Sequence, residues 1–212
     1  MRISIRGKVL LVGACLLAGT TAWGQLGPST AKQAPVSIDL GVTYAPERAQ
    51  LVPGSCCFWL QGGGGDAAVT FWRGFGIATG LTGEHISNYA PGMDVNKIAY
   101  LAGPRYTYAA WDRHSGTADR ARLQLFGQGL FGGVHAFDGV FPTSSGTTPT
   151  ANSFALQAGG GIDLLLTKHI GVRLVEADYV RTALPNGAAN VQDDLRLVFG
   201  VTYHMAPTHP RR

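Results

Sequence analysis

The stretch Asp194 to Met205, DLRLVFGVTYHM, restricts the possible folds more than any other part of the chain. Leu195, Leu197, Phe199, Val201, Tyr203 and Met205 share one parity, and Asp194, Arg196, Val198, Gly200, Thr202 and His204 share the other. Period-2 alternation marks a strand with two unlike faces. Here it persists for twelve residues. Strands of soluble proteins average about 5–6 residues, whereas one tilted across a hydrocarbon layer needs roughly 9–11. The pattern predicts a transmembrane β-strand; a long edge strand of a secreted sandwich is the alternative.

The amino terminus agrees with export. Arg2, Arg6 and Lys8 precede an apolar run from Val9 to Ala18, and Ala22-Trp23-Gly24 is a small-x-small cleavage site, the layout of a secretory signal. Residues 1–24 are therefore expected to be a signal peptide cut after Gly24. The run is too short for a membrane helix, which needs about 20 residues. Losing those three cations lowers the formal charge from +4 to +1, so the basic pI of the precursor implies no nucleic-acid partner. Residues 25–35, with Pro28 and Pro35, are a flexible lead-in. Of the three cysteines, Cys15 falls in the signal, where the apolar run is too short for a lipoprotein site. Cys56 and Cys57 are neighbours in a loop, and export makes a strained bond between them, two free thiols, or pairing with another chain all open.

Alternation recurs along residues 36–205. Strand one carries Val36, Ile38, Leu40, Val42 and Tyr44 on one face. Strand two runs from about Phe58 to Phe71, strand three from Phe75 to about Ser87, and strand four carries Ile98 to Tyr108 opposite Lys97, Leu101, Arg105 and Thr107. Pro104 cannot donate to a ladder and predicts a bulge or kink. Strand five spans Arg120 to about Ala136, strand six holds Phe154 to Leu166, strand seven holds Val175, Ala177 and Tyr179, and the terminal stretch is strand eight. Connections at Pro46 to Cys56, Asn88 to Asp94, Phe137 to Asn152 and Leu184 to Val191 are rich in Pro, Gly and Ser. Those at Trp72 to Gly74 and Thr167 to His169 are short. Long loops alternating with short turns, and an even strand number, distinguish the two sides of an outer-membrane barrel. The fold expected is all-β, an eight-stranded antiparallel up-and-down transmembrane β-barrel, with residues 206–212 a periplasmic tail. Closure follows from the solvent, because an unpaired backbone group in lipid costs several kcal/mol.

Eight strands leave room in the bore only for side chains. The parity opposite the apolar one assigns Asp39, Asp66, Glu84, Arg105, Arg122, Asp163, Glu176, Asp178, Asp194 and Arg196 to that bore, where opposite charges must pair. Gly62 to Gly65 lacks the Lys-Ser/Thr of a phosphate loop and instead permits close packing inside a barrel. The aromatics Tyr44, Trp59, Phe71, Trp72, Tyr108, Trp111, Tyr179 and Tyr203 fall near strand ends, where interfacial girdles lie. The six histidines lack zinc-ligand spacing, and no cofactor is expected.

The ending GVTYHM, with YLAGPRYTY at Tyr100 to Tyr108 and GVRLVEADYVRT at Gly171 to Thr182, resembles the small eight-stranded outer-membrane β-barrels of the OmpA barrel-domain type. GVTYHM is similar to their Gly-x-x-Tyr-x-Phe terminal strand, with Met205 replacing the aromatic. The resemblance implies residence in the bacterial outer membrane, lipid and lipopolysaccharide as surroundings, and recognition of the last strand by the barrel-assembly machinery. It also implies a monomer with a structural or surface-interaction role and no catalysis. A narrow solute channel is one alternative. The tail at 206–212 and the lack of a following peptidoglycan-binding domain depart from the pattern. Glu84-His85-Ile86-Ser87-Asn88 also resembles the His-x-Ser-Asn motif of lipid A deacylases, which implies His85 and Ser87 as base and nucleophile of a hydrolase. That family places its motif near the carboxyl terminus and takes a carboxylate from the next strand, and this chain departs on both points.

Overall fold

A computed structural model describes residues 36–49, 57–90, 93–112, 122–187 and 190–205. The expected signal peptide, lead-in and tail, and Cys56, lie outside the described residues. The strands are β1 (Ser37–Tyr44), β2 (Glu47–Ala49), β3 (Phe58–Trp72), β4 (Phe75–Ala90), β5 (Met93–Asp112), β6 (Arg122–Phe137), β7 (Phe141–Thr143), β8 (Gly146–Thr148), β9 (Ala151–Leu165), β10 (Ile170–Thr182) and β11 (Gln192–Met205). All pairings are antiparallel. The sheet runs β3, β4, β5, β6, β9, β10, β11, and β1 pairs with both β11 and β3, which closes the ring.

β1 and β2 form one stave, since β2 also pairs with β11 and β3. Across the break, Ala45 N donates to Gly62 O at 2.8 Å and Leu197 N to Pro46 O at 3.0 Å. The ring therefore has eight staves, all β, with no open edge. β7 and β8 make a separate hairpin inside the Phe137 to Asn152 connection.

The structure revises several boundaries. β2 falls within the expected Pro46 to Cys56 loop, because Pro46 reads as a breaker although its carbonyl keeps the ladder going. β4 and β5 extend into the expected Asn88 to Asp94 loop, reaching Ala90 and starting again at Met93, on either side of the Pro91-Gly92 pair that reads as a turn in the sequence. Pro104 produces no register shift: Ile77 pairs with Pro104 and Ala78 with Gly103 in continuous register on the β4 side. On the β6 side the ladder pauses between Ala102 and Arg105 and resumes in the same register, so the missing donor costs a gap and no bulge.

A mid-strand bulge lies in β10. Arg173 pairs with Asp163, and the next β9 pairing is Val175 with Ile162, which leaves Leu174 as an inserted residue. Leu174 is exposed outward, while Arg173 and Glu176 both point inward. Register also shifts near strand ends, between Thr70 and Trp72, Ile86 and Ala90, and Ala109 and Trp111; along the middle of the other staves the alternation holds. Leu40, Val42, Phe75, Ile77, Leu81, Tyr100, Phe131, Phe154, Leu195 and Val201 are exposed on the outside, an inverted arrangement for a protein in water and the expected one in hydrocarbon. At the end where β1 begins and β11 ends, Trp72 stacks on Phe75 with ring centroids 5.8 Å apart, and Phe75 meets Tyr106 in a tilted contact at 4.8 Å. The two-residue hairpin there puts Arg73 at φ 47° and Gly74 at φ 91°, and a Cβ on Gly74 would sit 2.2 Å from Thr107 O, so this turn requires glycine.

Candidate functional site

Two tiers of ion pairs cross the bore. In the first, Arg173 on β10 acts as a hub. Its Nε donates to Asp163 Oδ1 at 2.9 Å, and Nη1 donates to Asp66 Oδ1 at 3.0 Å and to Glu176 Oε2 at 2.8 Å. Arg105 Nη2 adds a contact to Asp163 Oδ2 at 3.4 Å, and Gln128 Nε2 donates to Glu176 Oε1 at 2.6 Å. Both guanidinium groups lie over the Phe126 ring, with Cζ 3.7 Å and 4.8 Å from its centroid, a stacking that arginine's planar, weakly hydrated head favours. The bulge makes this possible, because it points residues i and i+3 of one strand to the same side.

In the second tier, Lys97 on β5 bonds Glu47 on β2 and lies 2.8 Å from Glu84 Oε2 on β4. Arg196 on β11 bonds Gln157 on β9, and it approaches Glu84 Oε1 at 3.4 Å and Asp178 Oδ2 at 3.7 Å. A third contact, His204 Nδ1 to Asp39 Oδ1 at 2.5 Å, sits near the terminal end. Glycines make room for these side chains. A Cβ on Gly41 would meet Asp66 Oδ1 at 2.3 Å, and one on Gly159 would meet Asp178 Oδ1 at 2.1 Å. Between the tiers is a cavity of about 30 Å³ lined by Asp66, Gln128, Glu176, Asp178 and Arg196 among others, enough for roughly one or two waters.

Of the ten residues assigned to the bore, Asp66, Arg105, Asp163 and Glu176 meet in the first tier, and Glu84, Asp178 and Arg196 in the second. Asp39 is with His204, Asp194 lies at the mouth, and Arg122 is half-buried at the start of β6. Sequence reasoning missed Arg173, Glu47, Lys97 as an ion-pair partner, and His204. Lys97 and His204 stand on the inward parity and could have been included on that signal. Glu47 was hidden by Pro46, and Arg173 by the bulge that reverses the parity of β10.

The end of the bore opposite the termini widens into a cavity of about 230 Å³. Its lining includes Leu60, Val95, Ala136, Phe141 and Leu184 together with the polar Lys97, Thr182, Gln192 and Asp194. Gln192 holds one wall in place: it accepts from Thr182 Oγ1 at 2.9 Å, and its Nε2 donates to Leu184 O at 3.0 Å.

Outside this same end, polar residues replace the apolar belt. Gln61, His85, Asn96, His135, Asn152 and Asp193 form a collar on neighbouring staves. His85 and Ser87 are both exposed there, as expected of the motif. His85 Nδ1 lies 2.8 Å from Asn96 Oδ1, and Asn96 Nδ2 donates to Asp138 Oδ2 at 2.8 Å. His85 is thus oriented through an amide to a carboxylate and makes no hydrogen bond to Ser87 among the described residues. His135 repeats the pairing with Asn152 at 2.6 Å. Among the described residues no group of three or more His, Cys, Asp or Glu is arranged to hold a metal ion. Cys57 is half-buried; Cys56, and with it the choice among the three states open for the pair, lies outside the described residues.

No protein-family model matches the sequence, and no curated protein matches it. Among solved structures, the chain is similar to Neisserial surface protein A, with 14% identity, a TM-score of 0.52, and coverage of 79% of this chain and 96% of that one. Ail, the attachment invasion locus protein of Yersinia pestis, matches at 12% identity and TM-score 0.44, covering 82% of this chain and 99% of that one. The amino-terminal β-barrel domain of Pseudomonas aeruginosa OprF matches at 10% identity and TM-score 0.41, covering 79% and 97%. The likeness to Neisserial surface protein A is one of fold: a closed eight-stranded antiparallel barrel of outer-membrane type.

Proposed function

We propose that this chain is an integral protein of the bacterial outer membrane with a structural or surface-interaction role, and that its bore passes no solutes. The observation that supports this reading is the pair of ion-pair tiers, which tie β3, β9 and β10 together at one level and β2, β4, β5 and β11 at the other. Opening a solute path would strip buried charges of partners, at a cost of about 3–5 kcal/mol for each broken pair. On this reading the exposed apolar belt is covered by lipid and lipopolysaccharide, the last strand is what the barrel-assembly machinery reads, and the protein acts as a monomer through its outer loops. The test is conductance of the heat-modifiable, closed form in planar bilayers. A quiet bilayer is expected, and large, steady openings comparable to a porin's would replace the reading with that of a channel.

The relay from His85 through Asn96 to Asp138 favours a second reading, a lipid A deacylase-like hydrolase with His85 as base and Ser87 as nucleophile. A base must reach its nucleophile within hydrogen-bond distance, and His85 spends Nδ1 on Asn96. Lipid A hydrolysis by the purified protein, lost in both His85→Ala and Ser87→Ala, would put this reading first.

A further inference from the structure

We propose that the closed bore stores two protons, one shared by Glu84 and Glu47 and one by Glu176 and Asp178, and that the ion-pair plug loosens when they leave. The inference deepens the plugged-bore reading above and is tested apart from it, by counting protons where that reading is tested by conductance.

Charge balance sets the number. The first tier holds three carboxylates, Asp66, Asp163 and Glu176, against two cations, Arg105 and Arg173. The second holds Glu47, Glu84 and Asp178 against Lys97 and Arg196. Each tier is therefore one positive charge short, before Asp194 at the mouth, which also faces Lys97, is counted. All of the tier residues but Asp66 are buried. An unpaired ion taken out of water costs several kcal/mol, and a carboxylate so placed takes up a proton instead.

The contacts set the place. Glu84 is hydrogen-bonded to Glu47, and Asp178 to Glu176. Two carboxylates have no hydrogen to share, so each contact requires one partner to be protonated. Among the described residues, the buried carboxylate oxygens left without a hydrogen-bond donor belong to the same two pairs: Glu47 Oε2, Glu84 Oε2 and both oxygens of Asp178. Around Glu84 stand Glu47 on β2, Lys97 on β5 and Arg196 on β11. Around Glu176 stand Asp66 on β3, Arg105 on β5, Gln128 on β6, and Arg173 and Asp178 on its own strand. A proton on Glu84, donated to Glu47, leaves Glu47 and Asp178 as the anions for Lys97 and Arg196. One on Glu176, donated to Asp178, leaves Asp66 and Asp163 for Arg105 and Arg173. Both tiers are then neutral.

In the unfolded chain both glutamates meet water, where a carboxyl is ionised above about pH 5. Unfolding therefore releases the two protons, and stability falls as pH rises. The mature barrel, in a detergent without ester groups, should show the infrared carbonyl band of buried protonated carboxyls at neutral pH, with Glu84→Gln and Glu176→Gln each removing one of its two contributions. Between about pH 5.5 and 6.5, the urea-unfolding equilibrium constant of each variant should rise about tenfold less per pH unit than that of the unsubstituted barrel, the effect of one proton fewer; the histidines contribute alike to all three. An amide keeps an N–H donor where the proton sat, so both variants should hold the heat-modifiable form to higher pH. If a variant does not close, the infrared band of the unsubstituted barrel decides. Absence of that band, equal pH dependence in all three proteins, or stability that follows sodium concentration instead of pH would each overturn the proposal, the last by assigning the balance to a bound cation.

Discussion

Arg173 touches three carboxylates at 2.8 to 3.0 Å from a position that is 2% exposed. Removing it would leave Asp66, Asp163 and Glu176 facing Arg105 alone. Because stranded buried charge is costly, Arg173→Ala is expected to destabilise the barrel by about 3–5 kcal/mol, read as a lower urea midpoint for loss of the fast-migrating band on unboiled gels. Arg173→Lys should recover only part of this, since an ammonium is a point charge and cannot fork among three acceptors. An unchanged midpoint in the alanine variant would mean that the tier is dispensable. The other charges of this tier are legible as the polar parity of alternating strands. Which acid meets which base is not, because partners such as Asp66 and Arg173 stand 107 residues apart, and only the closed ring brings their staves to opposite sides of one bore.

At the scale of the strand, the number of residues between inward charges decides their faces. Leu174 is the extra residue of the bulge, so deleting it joins Arg173 to Val175 in strict alternation and leaves Ile170 to Arg173 and Val175 to Thr182 on their present faces. Deleting Ala177 from the regular part of the strand is different, because a one-residue slip moves the affected segment to the other side: either Asp178 turns to lipid or, if the bulge is lost in compensation, Glu176 does. The Leu174 deletion is expected to reach the heat-modifiable form and the Ala177 deletion is expected not to. Equal folding of the two would show that alternation does not govern this strand. This strand also marks the limit of what alternation reveals. Where each face meets a single solvent, as at Leu195 to Met205 or Phe154 to Leu166, the strand and its inward face follow from the residues. At the bulge the parity reverses without any change in residue type. At Asn88 to Asp94 the Pro91-Gly92 pair reads as a loop, while the backbone of Ala90 still pairs with that of Met93. The mouth cavity was not legible at all, since its walls join barrel residues to Phe141 and Leu184 from two connections that only the fold brings together.

For the whole molecule, the order of outward residues along each stave defines a depth. On β4 the outer face reads Phe75, Ile77, Thr79, Leu81, Gly83, His85 and Ser87, from the aromatic girdle at the terminal end to the polar collar. Leu81 is 57% exposed and pairs with Gly65 and Tyr100, midway along this belt. His85 is four residues farther along the same face, roughly 13 Å up the strand, beside Gln61 and Asn96. If hydrocarbon surrounds the belt, the same charge must cost different amounts at the two levels. Leu81→Arg should destabilise the barrel in lipid vesicles by about 2–4 kcal/mol, and His85→Arg by about 0–1 kcal/mol, measured as the shift in reversible unfolding by guanidinium. In detergent micelles, which adapt to the protein's outline, the difference should shrink. A sandwich whose apolar face is covered by a second sheet would suffer at Leu81 in any solvent, because burial against protein does not depend on vesicles. The gradient therefore separates the two architectures allowed by the alternation of the last strand: equal costs at both sites, or a cost at Leu81 that persists without lipid, would remove the membrane from the explanation.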